Sequence, residues 1–164
     1  MKVLYFGGQK SGKSRLAEAR TLKLATSKPY YVATYDNSFG DVEMNKRVAN
    51  HLFIREDNFI TIEEPKDLPK IIEDEQGTYL IDCVSMWILN NIEEDESVLY
   101  HQLNELAKSN ANIVFVLNDV NNGIIPANKL SRKYVDLTGI IGQKLAQICN
   151  EVYEVKLGID LRLK

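Results

Sequence analysis

The sequence predicts an α/β fold, a mostly parallel sheet flanked by helices, with an antiparallel hairpin at its C-terminal edge. Apolar runs of strand length alternate along the chain with helix-length stretches, the signature of strands joined by helical crossovers. Several of these runs, such as Ile-Val-Phe-Val-Leu at 113–117, are continuously apolar, as strands covered on both faces require. The last two runs are separated only by a short stretch around Gly158, too little for a crossover, so they pair antiparallel.

Taken in order, the apolar run 2–6 is the first strand, and it feeds a glycine-rich turn. A helix is expected over 11–26, because the stretch from Arg15 to Leu24 contains neither glycine nor proline. The strand 30–34 (Tyr-Tyr-Val-Ala-Thr) follows, then a helix over 41–55, in which Met44, Val48 and Leu52 recur every four residues as a buried stripe. Strands at 59–62 and 78–81 flank a helix expected over 65–74. Two further helices, 84–92 and 96–109, lead to the buried strand 113–117. A long helix over 128–150 precedes the closing strands 152–155 and 160–163. No repeat, low-complexity tract or linker interrupts the pattern, so residues 1–164 read as one domain.

Composition narrows the function classes. A chain of 164 residues is long enough to bury about two thirds of its unfolded surface. With 45% hydrophobic and 26% charged residues it reads as globular. A net charge of −3 offers no broad attraction to nucleic acid or to an anionic membrane, so neither is expected as a partner. No apolar stretch approaches membrane-spanning length and the N-terminus has no signal-peptide layout, which points to a cytoplasmic protein. Its two cysteines, Cys83 and Cys149, are too few for a disulfide framework or a zinc site and are expected as reduced, mostly buried thiols.

The most informative segment is Gly7-Gly8-Gln9-Lys10-Ser11-Gly12-Lys13-Ser14, a complete phosphate-binding loop between a strand and a helix. Gly7 and Gly12 let the backbone take conformations closed to other residues, so that successive N–H groups face a phosphate chain. Lys13 supplies a mobile charge for the β- and γ-phosphates, and the Ser14 hydroxyl is placed to ligate Mg²⁺. The helix that starts there adds about half a positive charge at its N-terminus, aimed at the same anion. These residues call for a nucleoside triphosphate.

Other residues offer further chemistry. Asp82 ends the run Tyr79-Leu80-Ile81-Asp82, which resembles a Walker B element and would hold Mg²⁺ directly or through water; the other reading is a helix-capping aspartate. On the helix 41–55, Glu43, Arg47, His51 and Arg55 form a second stripe at four-residue spacing. Two arginines, each one turn from His51, disfavour its imidazolium and leave a neutral nitrogen able to attack phosphorus, while neutralising the group attacked. The alternative is a solvated helix face. His101 is expected at the surface and Trp87 in the core. The loop 118–126 (Asn-Asp-Val-Asn-Asn-Gly-Ile-Ile-Pro) is longer than a simple strand–helix connection, and loops of that kind are commonly functional.

Together these segments resemble the bifunctional adenosylcobinamide kinase/adenosylcobinamide-phosphate guanylyltransferase family. The likeness rests on the loop with Arg15 and Glu18, Val-Ala-Thr at 32–34 and Glu-Met-x-x-Arg-Val-x-x-His at 43–51. It continues through Thr-Ile-Glu-Glu-Pro at 61–65, Asp-Cys-Val-Ser-Met-Trp-Ile-Leu-Asn at 82–90, the loop 118–126, and Arg132, Asp136 and Gly139. The resemblance implies a RecA-like domain that assembles as a homotrimer and uses Mg²⁺ and GTP, with ATP as a second candidate donor for the kinase step. It implies that the hydroxyl on the aminopropanol arm of adenosylcobinamide is phosphorylated, after which GMP passes from GTP to His51 and on to the substrate phosphate. Covalent catalysis of this type divides one hard transfer into two easier ones. Thr34, Arg55 and Glu63 are then expected to contact nucleotide, alongside the loop. The stretch 119–142 departs from the family pattern, with Asp119-Val120-Asn121, Val135 and Gly142-Gln143 at positions usually occupied otherwise, and is where substrate contacts are expected to differ. Two alternatives are a phosphate-loop kinase for another small alcohol, with His51 never modified, and a nucleotide-dependent regulatory module without transferase activity.

Overall fold

In a computed structural model, residues 1–35, 57–121 and 123–164 are described. Seven strands among them form a single sheet: β1 (Lys2–Gly7), β2 (Tyr30–Ala33), β3 (Ile60–Glu63), β4 (Thr78–Asp82), β5 (Asn112–Asn118), β6 (Glu151–Lys156) and β7 (Ile159–Arg162). Their order across the sheet is β3-β2-β4-β5-β1-β6-β7. All neighbours pair in parallel except β6 and β7. The mostly parallel sheet and the antiparallel C-terminal strands thus appear as expected.

The helices among the described residues are α1 (Lys13–Leu24), α2 (Val84–Asn90), α3 (Glu96–Lys108) and α4 (Lys129–Ile148). α3 starts at Asp95, whose carboxylate accepts the Ser97 N–H at 2.9 Å, and α4 at Asn128, whose side chain accepts the Ser131 N–H at 3.1 Å. α1 lies on one face of the sheet, where Ala17 packs with Val3, Tyr5, Leu80, Val114, Val116 and Val155. The opposite face carries α2, α3 and α4, with Trp87, Leu99, Leu103, Leu137, Ile141 and Leu145 against Leu4, Ile81, Ile113 and Phe115. Continuous apolar strands follow from this double cover: β5 is buried from Ile113 to Leu117.

The helix expected over 65–74 forms only a short 3-10 turn, Leu68–Ile71. The peptide groups around it are already taken. The Glu64 carboxylate accepts the N–H groups of Lys66 and Asp67, each at 2.8 Å, Gln102 accepts that of Leu68 at 3.1 Å, and the Tyr79 hydroxyl accepts that of Asp74 at 3.0 Å. Pro69 contributes no N–H of its own. Local apolar spacing therefore loses to side chains that arrive from elsewhere in the chain. The expected helix 41–55 lies outside the described residues. No described helix is long and apolar enough to cross a membrane.

Candidate functional site

β1 ends at Gly7, and residues 8–12 cross the carboxyl end of the sheet before α1 begins at Lys13. Gly7 is buried against the β6 backbone: a Cβ there would collide with the Val155 carbonyl and come within 2.9 Å of Ser11 Oγ. Gly12 has φ 97°, in the left-handed region, and a Cβ there would lie 3.1 Å from the Gly158 Cα. Within the loop, the Ser11 N–H donates to the Gly8 carbonyl at 3.2 Å, and Gly8, Gln9 and Lys10 face solvent. Two flanking segments hold the loop. The Asp119 N–H donates to the Gly7 carbonyl at 2.9 Å, and the Gly158 N–H donates to the Ser11 carbonyl at 2.8 Å.

α1 has no side-chain cap and no acidic residue in its first turn, so the positive character of its N-terminus is left for an anion. Lys13, the first residue of α1, is only 6% exposed and donates from Nζ to the Gly8 carbonyl at 3.1 Å. Desolvation lowers its pKa below the ordinary lysine value, with the nearby charge of Asp82 opposing the shift. Ser14, half-buried, follows in the same turn. Asp82 ends β4, level with Val116 of β5 and hence on the sheet face that α1 covers. Its Oδ2 lies 3.4 Å from the Tyr31 hydroxyl that donates to it, and the Asp82–Cys83 peptide is cis. The fold thus brings Asp82, distant in sequence, to the end of the sheet face where Lys13 and Ser14 begin α1.

Thr34 and Glu63 are placed differently. Thr34 is fully buried after β2; its hydroxyl donates to the Cys83 carbonyl at 2.7 Å and accepts the Cys83 N–H at 3.1 Å. Its carbonyl accepts from Asn90 Nδ2 at 2.8 Å. Glu63 is exposed at the end of β3, the sheet edge. Four strand spacings, about 19 Å, separate that edge from β1. His51 and Arg55 lie outside the described residues, as does the rest of their stripe.

Cys149 is buried as expected, whereas Cys83 is only half-buried beside Asp82; both are free thiols. Trp87 is fully buried, donating from Nε1 to the Lys66 carbonyl at 3.0 Å and to Gln102 Oε1 at 3.1 Å, and His101 is exposed. Sequence reasoning did not find the docking of the hairpin turn on the phosphate loop. It located the turn at Gly158, but nothing local announces a partner at the other end of the chain. The Tyr31 hydroxyl on Asp82 was missed for the same reason.

The loop after β5 follows Asn118, whose N–H donates to Ser85 Oγ at 2.8 Å. Beyond it, Val120, Asn121, Gly123, Ile124, Ile125 and Pro126 face Arg132, Val135 and Asp136 of α4 across a cleft of about 320 Å³.

The fold defines a class of α/β protein: a mostly parallel sheet in which a glycine-rich loop leads from the first strand into a helix without a side-chain cap. The chain belongs to the cobinamide kinase / cobinamide phosphate guanyltransferase family, whose profile matches residues 3–163. It is 34% identical to the bifunctional adenosylcobalamin biosynthesis protein CobP of Pseudomonas aeruginosa, over 100% of this chain and 98% of that protein. The bifunctional adenosylcobalamin biosynthesis proteins CobU of Escherichia coli and Salmonella typhimurium are 31% and 30% identical, with 100% of each chain covered. Membership makes the chain an enzyme of the kinase and transferase type within cobalamin biosynthesis.

Proposed function

We propose that the chain carries out both family reactions: phosphorylation of adenosylcobinamide, then transfer of GMP from GTP to adenosylcobinamide phosphate, giving adenosyl-GDP-cobinamide. The observation that carries this reading is the buried Lys13 amine, held over the Gly8 carbonyl at the start of α1 and electrostatically coupled to Asp82. A buried cation beside an uncapped helix end favours a polyanion, because neither is compensated by a side chain of the loop itself.

In the kinase step the substrate hydroxyl attacks the γ-phosphorus of a nucleoside triphosphate, GTP or ATP. The β–γ bridging bond breaks and the hydroxyl proton is released. Lys13 and the loop N–H groups, from Gly8 to Ser14, take up the charge that builds on the phosphate oxygens. In the guanylyl step a neutral His51 nitrogen attacks the α-phosphorus of GTP and pyrophosphate leaves. The phosphate oxygen of the substrate then displaces His51 from the same phosphorus. Arg55 neutralises charge beside the histidine in this scheme. Glu63 is the remaining nucleotide contact, and Thr34 acts by fixing the Cys83 turn that follows Asp82.

Ser14 and Asp82 fit Mg²⁺: a hydroxyl and a carboxylate are hard oxygen donors. When bound, Mg²⁺ supplies neutralisation of β- and γ-phosphate charge. The reading includes a RecA-like domain, assembly as a homotrimer, and a cytoplasmic setting without nucleic-acid or membrane partners.

The deciding experiment uses GTP labelled at the α-phosphate. Acid-labile label retained on the wild-type protein and absent from His51→Ala supports the histidine adduct. Label retained by His51→Ala removes His51 from the mechanism, and transfer of γ-label alone reduces the function to that of a kinase.

A further inference from the structure

We infer that the cleft between the loop after β5 and α4 seats one edge of the corrinoid acceptor, across a crevice from the phosphate loop. The inference rests on the function proposed above and assigns the acceptor's place within it.

Topology supplies the first argument. β1 and β5 are parallel neighbours, with Gly7 level with Asn118. Past Gly7 the chain turns to the face that carries α1; past Asn118 it turns to the face that carries α4. Adjacent strands whose connections leave in opposite directions open a crevice at their carboxyl ends, where α/β sheets bind ligands. The phosphate loop forms one wall of it. The loop after β5 forms the other, and the Asp119–Gly7 hydrogen bond at 2.9 Å joins the two.

The chemistry of the second wall supplies the next. Ile124 and Ile125 are 96% and 81% exposed, and with Val120 and Val135 they give the cleft an apolar surface edged by Arg132 and Asp136. Such a surface suits an apolar ring with polar groups at its rim. It does not suit a second nucleotide. Among the described residues Arg132 is the cation lining the cleft, and its Nη1 is engaged with the carbonyls of Pro126 at 2.9 Å and Ala127 at 2.6 Å. A corrinoid has the required character: broad apolar ring faces and amide side chains around the periphery. At about 320 Å³ the cleft takes one edge of that ring rather than the whole.

The wall is also built in advance. Arg132 fastens the end of the loop, the Asn121 N–H donates to Asp119 Oδ1 at 3.1 Å, and Gly139 leaves room for the Asn121 amide, which lies 2.5 Å from where a Cβ would be.

The test is equilibrium dialysis of the full chain against dicyanocobinamide, with and without GTP, and calorimetric titration of GTP alone. For the Ile124→Asp/Ile125→Asp variant the corrinoid Kd is expected to rise at least tenfold while the GTP Kd stays within twofold. Ile124→Leu/Ile125→Leu should retain wild-type corrinoid binding. The single Ile124→Asp change, at the most exposed position of the wall, guards against a folding defect in the double variant. Equal corrinoid binding by wild type and both Asp variants overturns the inference and leaves the proposed function standing. A wild type that retains GTP but no corrinoid overturns the proposed function, and the acceptor site with it.

Discussion

The backbone N–H of Gly158, in the turn between β6 and β7, donates to the Ser11 carbonyl in the phosphate loop at 2.8 Å. The turn is a two-residue hairpin connection, with Leu157 at φ 53° and Gly158 at φ 79°, the backbone that matches strand twist. Arg15 of α1 reaches back from Nη2 to the Gly158 carbonyl at 3.4 Å. The C-terminal hairpin is thereby a brace for the loop.

Disturbing that brace should weaken nucleotide binding. A β-branched residue at a left-handed position costs about 1–2 kcal/mol. Gly158→Val, which relieves that strain by moving the turn, is expected to lower nucleotide affinity about 5- to 30-fold. Gly158→Asn tolerates the same φ and should retain most of it. Calorimetric titration with GTP decides; equal affinities for the Val variant and wild type would show that the loop keeps its shape unaided.

Lys13→Met should act in two directions. The amine is buried and its charge is disfavoured by desolvation, so an apolar side chain of similar length should leave the melting temperature of the ligand-free protein unchanged or raised. Nucleotide binding and turnover should fall, by about 100-fold or more in rate if one charge donor to the phosphates is lost. Thermal melts run with and without GTP report both effects.

Trp87→Phe is expected to destabilise the protein without altering GTP affinity. The indole N–H serves two acceptors, the Lys66 carbonyl and Gln102 Oε1, which keep second donors in Asn91 Nδ2 and the Leu68 N–H, so the change removes a bond without orphaning either oxygen. A cost of about 0.5–1.5 kcal/mol follows, readable as a lower urea midpoint.

Stability should decline at alkaline pH. Burial pushes the Cys149 thiol up from 9.0 to about 12 and the Tyr5 phenol up from 10.0 to about 12. The folded state therefore holds these protons more tightly than the unfolded chain. Their contribution is complete below about pH 9 and is lost as pH rises towards 12. Each group contributes a slope of up to about 1.4 kcal/mol per pH unit within its window. Urea midpoints should hold up to about pH 9 and fall from there towards pH 12, and Cys149→Ala should flatten the fall.

What could be read without coordinates was what neighbouring residues impose on one another. Eight consecutive residues specify the phosphate loop, because glycine placement and the strand–helix flanks act over a few bonds. Continuous apolar runs gave β5 and the other buried strands, and the short Gly158 turn gave the antiparallel pairing of β6 and β7. The helix expected over 65–74 failed where distant side chains took its peptide groups: Gln102 bonds Leu68, and Tyr79 bonds Asp74.

Tertiary structure alone decided which loops share the sheet's carboxyl end. Placing β5 between β4 and β1 puts Asp82 on the face of Lys13, and it sets the loop after β5 against Gly7. The same order leaves Glu63 at the opposite edge and commits the Thr34 hydroxyl to Cys83. Strand order is fixed by how two apolar faces are covered at once, a property of the whole chain that no local window contains.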